Sequence, residues 1–214
     1  MSTTGLKIKV CGMRDPGNIA DIAATGPDFL GFIFYSKSSR FVGTEPLLDG
    51  NIIVPPSIKK VGVFVDEMPE KVIEICQKYQ LEVAQLHGNE SSRYCRQIQD
   101  AGLTVFKAFA IGEFFNFKQL EDYTECCSFF LFDTKGKLPG GTGHKFDWQL
   151  LENYQMDVPF FLSGGIKPED LNSIQQIKDP RLYGVDINSG FEILPAFKNV
   201  SEVQQFIAGI KSKI

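Results

Sequence analysis

The chain contains 214 residues, of which 43% are hydrophobic and 22% are charged, and its formal net charge is −4. This size and composition predict one globular domain over residues 1–214, and the dispersed charge argues against nucleic acid or a membrane surface as partner. The polar first residues are too short for a signal peptide, and no apolar run approaches the roughly 20 residues of a membrane span. We therefore expect a cytoplasmic protein that binds a small molecule.

The cysteines are odd in number and lack the spacing of metal ligands; they are Cys11, Cys76, Cys95, Cys126 and Cys127. Adjacent cysteines such as Cys126 and Cys127 rarely form a disulfide with each other. We expect all five to be reduced thiols, with no metal site.

Eight short apolar runs recur along the chain, with amphipathic segments between them. The runs show little alternation between apolar and polar residues, which favours parallel strands buried on both faces over a half-exposed antiparallel sheet. The predicted strands are 6–11, 29–35, 60–65, 83–87, 105–110, 129–133, 159–163 and 182–187.

Helix signals lie between most of these strands. Pro16 and Pro69 stand near predicted helix starts, and Gly102 marks a predicted end. The predicted helices are 15–26, 68–79, 90–102, 167–177 and 200–214. Helices after the second and fifth strands are weakly indicated, because 44–57 contains three prolines and 112–126 has a poor apolar stripe.

The alternation of strands and helices predicts an α/β fold with eight repeating units. Eight units in 214 residues average about 27 residues each, which is typical of a (β/α)8 (TIM) barrel of parallel strands. A doubly wound open sheet is the alternative. It often carries a glycine-rich dinucleotide fingerprint after its first strand, which "VCGMRDPGN" does not match.

The active site of such a barrel lies at the carboxyl ends of its strands, so the residues that end each run are the candidates. Gly164 and Gly165 follow the seventh strand, and Ser189 and Gly190 follow the eighth. Backbone N–H groups of two glycine loops at this point form the recurrent phosphate site of these barrels. The pair of loops predicts a phosphorylated substrate.

Cys11 ends the first strand and Asp133 the sixth, which places them on opposite sides of a closed ring of eight strands. Two proton-transfer groups across a bound sugar phosphate suit an aldose–ketose isomerisation. His87 ends the fourth strand and Asp186 the eighth, where each contacts substrate or serves a structural role. The glycine-rich loop after Asp133 is either a lid or a surface loop.

Seven segments in order closely resemble phosphoribosylanthranilate isomerase: "KVCGMR", "FYSKSSRFV", "VGVFV", "QLHG", "FDTKGKLPGGTGHKFDW", "LSGGI" and "VDINSGFE". Departures are modest, with Arg14 where many members have Thr and Asn188 where Ser is common. The resemblance implies an Amadori rearrangement of N-(5'-phosphoribosyl)anthranilate in tryptophan biosynthesis, without metal or organic cofactor.

The resemblance also implies roles for individual residues. Cys11 is expected to be the general base and Asp133 the general acid. Arg40 is expected to hold the anthranilate group. The other expected substrate contacts are His87, Gly141, Gly143 and Asp186, and the expected phosphate contacts are Gly164, Gly165, Ser189 and Gly190.

Two alternative functions are weighed at the level of sequence. One is a related sugar-phosphate enzyme: an indoleglycerol phosphate synthase would need a catalytic lysine and glutamates at strand ends, an epimerase would need metal-binding histidines, and neither set is present. A catalytically silent phosphate-binding barrel is the other, and it need not keep both Cys11 and Asp133. The sequence does not decide between a monomer and a homodimer.

Overall fold

The computed structural model describes residues 5–44, 54–134 and 145–212. Within these residues eight parallel strands form a closed barrel in the order β1 to β8, which confirms the predicted (β/α)8 fold. The strands are β1 Lys7–Val10, β2 Phe29–Ile33, β3 Lys59–Phe64, β4 Val83–Leu86, β5 Thr104–Ile111, β6 Phe129–Thr134, β7 Phe160–Leu162 and β8 Leu182–Ile187.

Closure of the barrel depends on the pairing of β1 with β8. Lys9 is in register with Asp186, and Val10 with Ile187. This parallel pairing rules out the alternative of an open sheet, whose first and last strands would not meet. The first and last strands of the barrel are therefore neighbours, and we call the β1–β8 pairing the closing seam.

Five helices cover the described part of the barrel: α1 Pro16–Ala24, α2 Pro69–Tyr79, α3 Ser92–Asp100, α4 Leu171–Gln176 and α5 Val200–Lys211. All five fall within predicted segments. Asp15 caps α1 by accepting a hydrogen bond from the Asn18 N–H at 2.8 Å. Among the described residues, no helix has the length and apolar character needed to cross a membrane.

Some connections are shorter or less regular than helices. After β5 and β6 the chain forms 3₁₀ turns at Phe117–Tyr123 and Trp148–Asn153, which accounts for the poor stripe in the first of these segments. A small antiparallel hairpin, β9 Glu192–Leu194 and β10 Phe197–Lys198, follows β8 and was not predicted. Its Glu192 pairs with Arg40 in the loop after β2, and its Lys198 hydrogen-bonds Asn188 just after β8.

The lower barrel is filled by aromatic rings. Phe29 packs edge-to-face on Phe161 with ring centroids 5.5 Å apart, and Phe106 lies 5.1 Å from the same ring. Along β4, Val83 belongs to this interior cluster, while Gln85 follows toward the carboxyl end. The barrel interior is therefore apolar toward the amino ends of the strands and becomes polar toward their carboxyl ends, which form the mouth of the barrel.

Candidate active site

The first strand places two functional side chains inside the barrel. Lys9 and Cys11 are two residues apart, so both point to the interior. The Lys9 Nζ donates to Asp186 Oδ1 across the closing seam at 2.9 Å, and both side chains are buried. Cys11 is only 4% exposed, and its backbone N–H donates to the Ile187 carbonyl at 2.9 Å.

Burial raises the pKa of the Cys11 thiol, because the thiolate is poorly solvated inside the barrel. The Lys9 ammonium opposes this effect. The pKa of Lys9 is itself raised: burial acts to lower it, but the charges of Asp186 and Cys11 outweigh burial. Lys9, Asp186 and Cys11 therefore each influence the ionisation of the others.

On the far side, Asp133 is held by two hydrogen bonds. Its Oδ1 accepts from the Thr134 N–H at 2.7 Å, and its Oδ2 lies 3.1 Å from His87 Nε2. His87 Nδ1 lies 3.0 Å from the Gln85 Nε2 amide, whose N–H donates to the ring. The contact with His87 Nε2 therefore orients the Asp133 carboxyl group. A protonatable group is thus aligned on each side of the mouth.

Arg40 belongs to a charged cluster formed with the hairpin. Its Nε donates to Glu192 Oε1 at 2.8 Å, and its Nη2 donates to Glu192 Oε2 at 2.6 Å. The Lys198 Nζ also donates to Glu192 Oε1 at 2.6 Å and to Asn188 Oδ1 at 2.7 Å. Burial alone would raise the pKa of Glu192, but the two cations lower it. Burial lowers the pKa of Lys198.

Glycines set how closely the loops of the mouth approach one another. Gly164 and Gly165 have φ angles of +89° and +67°, which favour glycine. A Cβ on Gly164 would lie 2.6 Å from Asp133 Oδ1, and a Cβ on Gly190 would collide with the Ile166 carbonyl. The two glycine loops therefore contact each other, and the first of them also contacts Asp133.

The same reasoning explains the glycine that follows Cys11. Gly12 has a φ of +75°, and a Cβ there would lie 2.7 Å from the Arg40 Cδ and 2.8 Å from Asn188 Oδ1. The "CG" pair thus ends β1 and gives Arg40 room to cross the mouth.

The structure gathers most of the predicted site residues around one mouth. Cys11, Asp133, His87 and Asp186 lie at or next to the carboxyl ends of strands, Arg40 lies in the loop after β2, and the two glycine loops follow β7 and β8. Gly141 and Gly143 lie outside the described residues. Four further polar residues of the mouth were not predicted from the sequence: Lys9, Gln85, Glu192 and Lys198. Lys9 and Gln85 carry a signal, since each is a polar residue two positions before a predicted site residue in its strand.

A separate thiol cluster lies between α3 and the start of β6. Cys95, on α3, meets Cys126 and Cys127, which precede β6, with all three sulfurs within 4.8 Å of one another. Across the described parts of the chain, this is the group whose spacing suits a metal ion. The three residues are buried. Sequence spacing did not indicate the cluster, because folding brings Cys95 to the other two.

Comparison with known proteins identifies the family. Residues 8–208 match the family model of N-(5'phosphoribosyl)anthranilate (PRA) isomerase. An N-(5'-phosphoribosyl)anthranilate isomerase from Parabacteroides distasonis is 43% identical over 207 residues, covering 95% of this chain and 92% of that protein. The Thermus thermophilus phosphoribosyl anthranilate isomerase structure superposes with a TM-score of 0.85 at 27% identity, over 97% of this chain and 99% of the other.

A second solved structure adds chemical context. It is a phosphoribosyl anthranilate isomerase in complex with reduced 1-(o-carboxyphenylamino)-1-deoxyribulose 5-phosphate, 31% identical to this chain with a TM-score of 0.78. The superposition covers 97% of this chain and 99% of the other chain. These matches confirm the resemblance seen in the sequence motifs. The chain belongs to the phosphoribosylanthranilate isomerase family of tryptophan biosynthesis.

Proposed function

We propose that Asp133 is the general acid and Cys11 the general base in the isomerisation of N-(5'-phosphoribosyl)anthranilate to 1-(2-carboxyphenylamino)-1-deoxyribulose 5-phosphate. The observation that carries this assignment is the placement of the two groups. Asp133 is oriented by Thr134 and His87 on one side of the mouth, and Cys11 ends β1 on the other. A bound sugar phosphate between them meets an acid at one face and a base at the other.

The acid acts first. Protonated Asp133 gives its proton to the furanose ring oxygen as the C1–O bond breaks, which leaves a hydroxyl and an iminium ion. His87, 3.1 Å from Asp133 Oδ2, holds the carboxyl group in one orientation. The aniline nitrogen of the substrate supplies the electrons that open the ring, so the step draws only on the substrate and on Asp133.

The base acts on the iminium ion. Thiolate Cys11 removes the proton from C2, and the electron pair of the C–H bond neutralises the iminium nitrogen to form an enolamine. Protonation of C1 and loss of the C2 hydroxyl proton then yield the ketone. The proton lost from C2 and the proton gained at C1 balance, and the hydroxyl proton restores the acid that opened the ring.

Binding is assigned to two groups of residues, Arg40 and the two glycine loops. The Nε side of the Arg40 guanidinium faces Glu192, which leaves the terminal Nη1 and Nη2 edge for the anthranilate carboxylate. Gly164, Gly165, Ser189 and Gly190 supply backbone N–H groups to the phosphate. His87 and Asp186 are engaged with Asp133 and Lys9, so we assign both of them to positioning rather than to substrate.

The test is an assay in which the labile substrate is made in situ from anthranilate and phosphoribosyl pyrophosphate by a transferase. Loss of substrate fluorescence reports turnover. Cys11→Ala and Asp133→Asn are each expected to lower kcat about a hundredfold or more, the usual worth of a positioned acid or base. Cys76→Ala, which removes a buried thiol outside the mouth, is the control and should turn over normally. Normal kcat in Cys11→Ala, with a reduced melting temperature, would show that Cys11 only fills the core.

A further inference from the structure

We propose that Lys9 is a positioning residue for the general base: its ammonium lies beside the Cys11 sulfur and favours the thiolate form. This inference rests on the proposed role of Cys11. It assigns a function to the ion pair at the seam of the barrel, for which neither the fold nor substrate binding gives a reason.

Lys9 is fully buried, and a lysine in that environment is rare unless it is paired. Its partner Asp186 is buried as well, with Nζ and Oδ1 2.9 Å apart. A buried ion pair costs desolvation of both charges, so replacement by apolar side chains is often neutral or stabilising. A pair kept at this position therefore points to chemistry rather than to stability.

The backbone of β2 places the ammonium and the thiol side by side. A Cβ on Gly31 would lie 2.8 Å from Cys11 Sγ and 3.1 Å from Lys9 Nζ. Both atoms thus face the same point of the neighbouring strand, where only glycine leaves room for them. An ammonium has three N–H donors, and Asp186 uses one of them, so others are available to a thiolate.

The charges around the sulfur come from three elements. Lys9 on β1 and Lys198 on β10 favour the thiolate, whereas Asp186 on β8 opposes it. Asp186 in turn faces Asp133 and His87. His87 is hydrogen-bonded to Asp133, so the imidazole that commonly activates a cysteine is engaged elsewhere. Of the two lysines that favour the thiolate, Lys9 has the larger effect.

The experiment measures the rate of iodoacetamide alkylation of Cys11 against pH in the substrate-free protein, read from the mass of the Cys11 peptide. Lys9→Met should raise the apparent pKa of the thiol and slow alkylation at pH 7 about tenfold, while Lys9→Arg keeps the charge and most of the rate. Lys7→Met is the control: it removes a lysine of the same strand that pairs with Asp28 instead. This variant should leave the profile unchanged.

Asp186→Asn separates charge from structural damage. Both Lys9→Met and Asp186→Asn break the same ion pair, but loss of the carboxylate removes a charge that opposes the thiolate. Alkylation at pH 7 should therefore become faster in Asp186→Asn and slower in Lys9→Met. Shifts of the same sign, or an unchanged profile in Lys9→Met, would overturn the inference.

Failure of this inference is distinct from failure of the proposed function. If Cys11→Ala abolishes turnover and the alkylation profile of Lys9→Met equals that of the unmodified protein, Cys11 remains the base and Lys9 has no part in its ionisation. If Cys11→Ala turns over normally, the assignment of the base itself is wrong, whatever the alkylation rates.

Discussion

Arg40 donates its Nε and Nη2 protons to one carboxylate, and that carboxylate also binds Lys198. Two cations and one anion leave a net positive charge beside Asn188 at the mouth. Because the guanidinium is fixed on one edge, its orientation toward a ligand on the other edge is set before binding. Because the side chain is already ordered by Glu192, less side-chain entropy is lost when the free edge binds a carboxylate.

We expect Arg40→Ala to lower kcat/KM on the order of a hundredfold, which corresponds to the loss of a charge-assisted, two-point contact. Arg40→Lys should recover little, since an ammonium lacks the planar fork. Steady-state kinetics in the fluorescence assay provide the measurement. Arg96→Ala is the matched control, because Arg96 is exposed on α3 and hydrogen-bonds Gln99 of the same helix. Unchanged kinetics in Arg40→Ala would mean that Arg40 only anchors its own loop.

At the scale of elements, the loops after β7 and β8 act together. Gly190 packs against the carbonyl of Ile166 and Gly164 against Asp133, so the two loops proposed to bind phosphate adjoin the proposed acid. The turn Pro168–Asp170 leads from the first of these loops into α4, and Asp170 accepts a hydrogen bond from the Lys167 N–H at 2.8 Å. The two loops are therefore in direct contact.

Gly165→Val should raise KM strongly and weaken competition by inorganic phosphate, because a branched side chain blocks approach to the backbone N–H groups. The left-handed φ at Gly165 also strains the variant by about 1–3 kcal/mol. Gly26→Val separates the two effects. Gly26 has a φ of +76° with open space around its Cβ position, so this variant should lose stability while its KM stays normal. Equal KM values in Gly165→Val and the unmodified protein would remove this loop from the phosphate site.

The features that sequence predicted well are those that repeat locally. Each strand is buried on both faces, so its apolar run marks it directly, and the prolines near helix starts mark α1 and α2. The hairpin β9–β10 was missed because its strands have three and two residues, with exposed Ile193 and Leu194. Periodicity cannot be read over so few residues.

The ion pairs of the site depend on closure of the whole barrel. Lys9 and Asp186 are separated by 177 residues, and Arg40 and Glu192 by 152. No local pattern indicates such partners, because only the pairing of β1 with β8 brings them together. The candidate acid and base were accessible from sequence because they end strands, whereas the residues that position them were not.

At the scale of the whole molecule, the eight strands form a single closed barrel, so we expect the described part of the chain to unfold as one cooperative unit. We expect urea unfolding followed by Trp148 fluorescence to coincide with unfolding followed by far-ultraviolet circular dichroism. Trp148 lies on the turn after β6, packed on the main core, so its emission reports on tertiary structure. Separate midpoints for the two signals would indicate more than one unit.

Stability should fall in acid. Burial alone would raise the pKa of Asp179, but its hydrogen bonds with Arg181 outweigh burial and lower it. A carboxyl whose folded pKa is depressed stabilises the fold above its unfolded pKa, near 4, and that stability is lost as pH falls through the folded value. Glu192 acts in the same direction.

The melting temperature should therefore decrease as the pH is lowered from about 5 to 3, and Asp179→Asn should make that decrease shallower. Asp21→Asn, at an exposed position of α1, is the control and should keep the original slope. Thermal melts at a series of pH values provide the measurement. An identical slope in Asp179→Asn would show that the Arg181 pair does not contribute to acid sensitivity.

The most direct test of the acid and base assignment is the kinetic isotope effect of a substrate deuterated at C2. In Cys11→Ser, removal of the C2 proton becomes slowest, so a full primary isotope effect on kcat is expected. In Asp133→Asn, ring opening becomes slowest and precedes that step, so the effect on kcat should fall toward one. The reverse pattern, with the effect lost in Cys11→Ser and full in Asp133→Asn, would contradict the assignment.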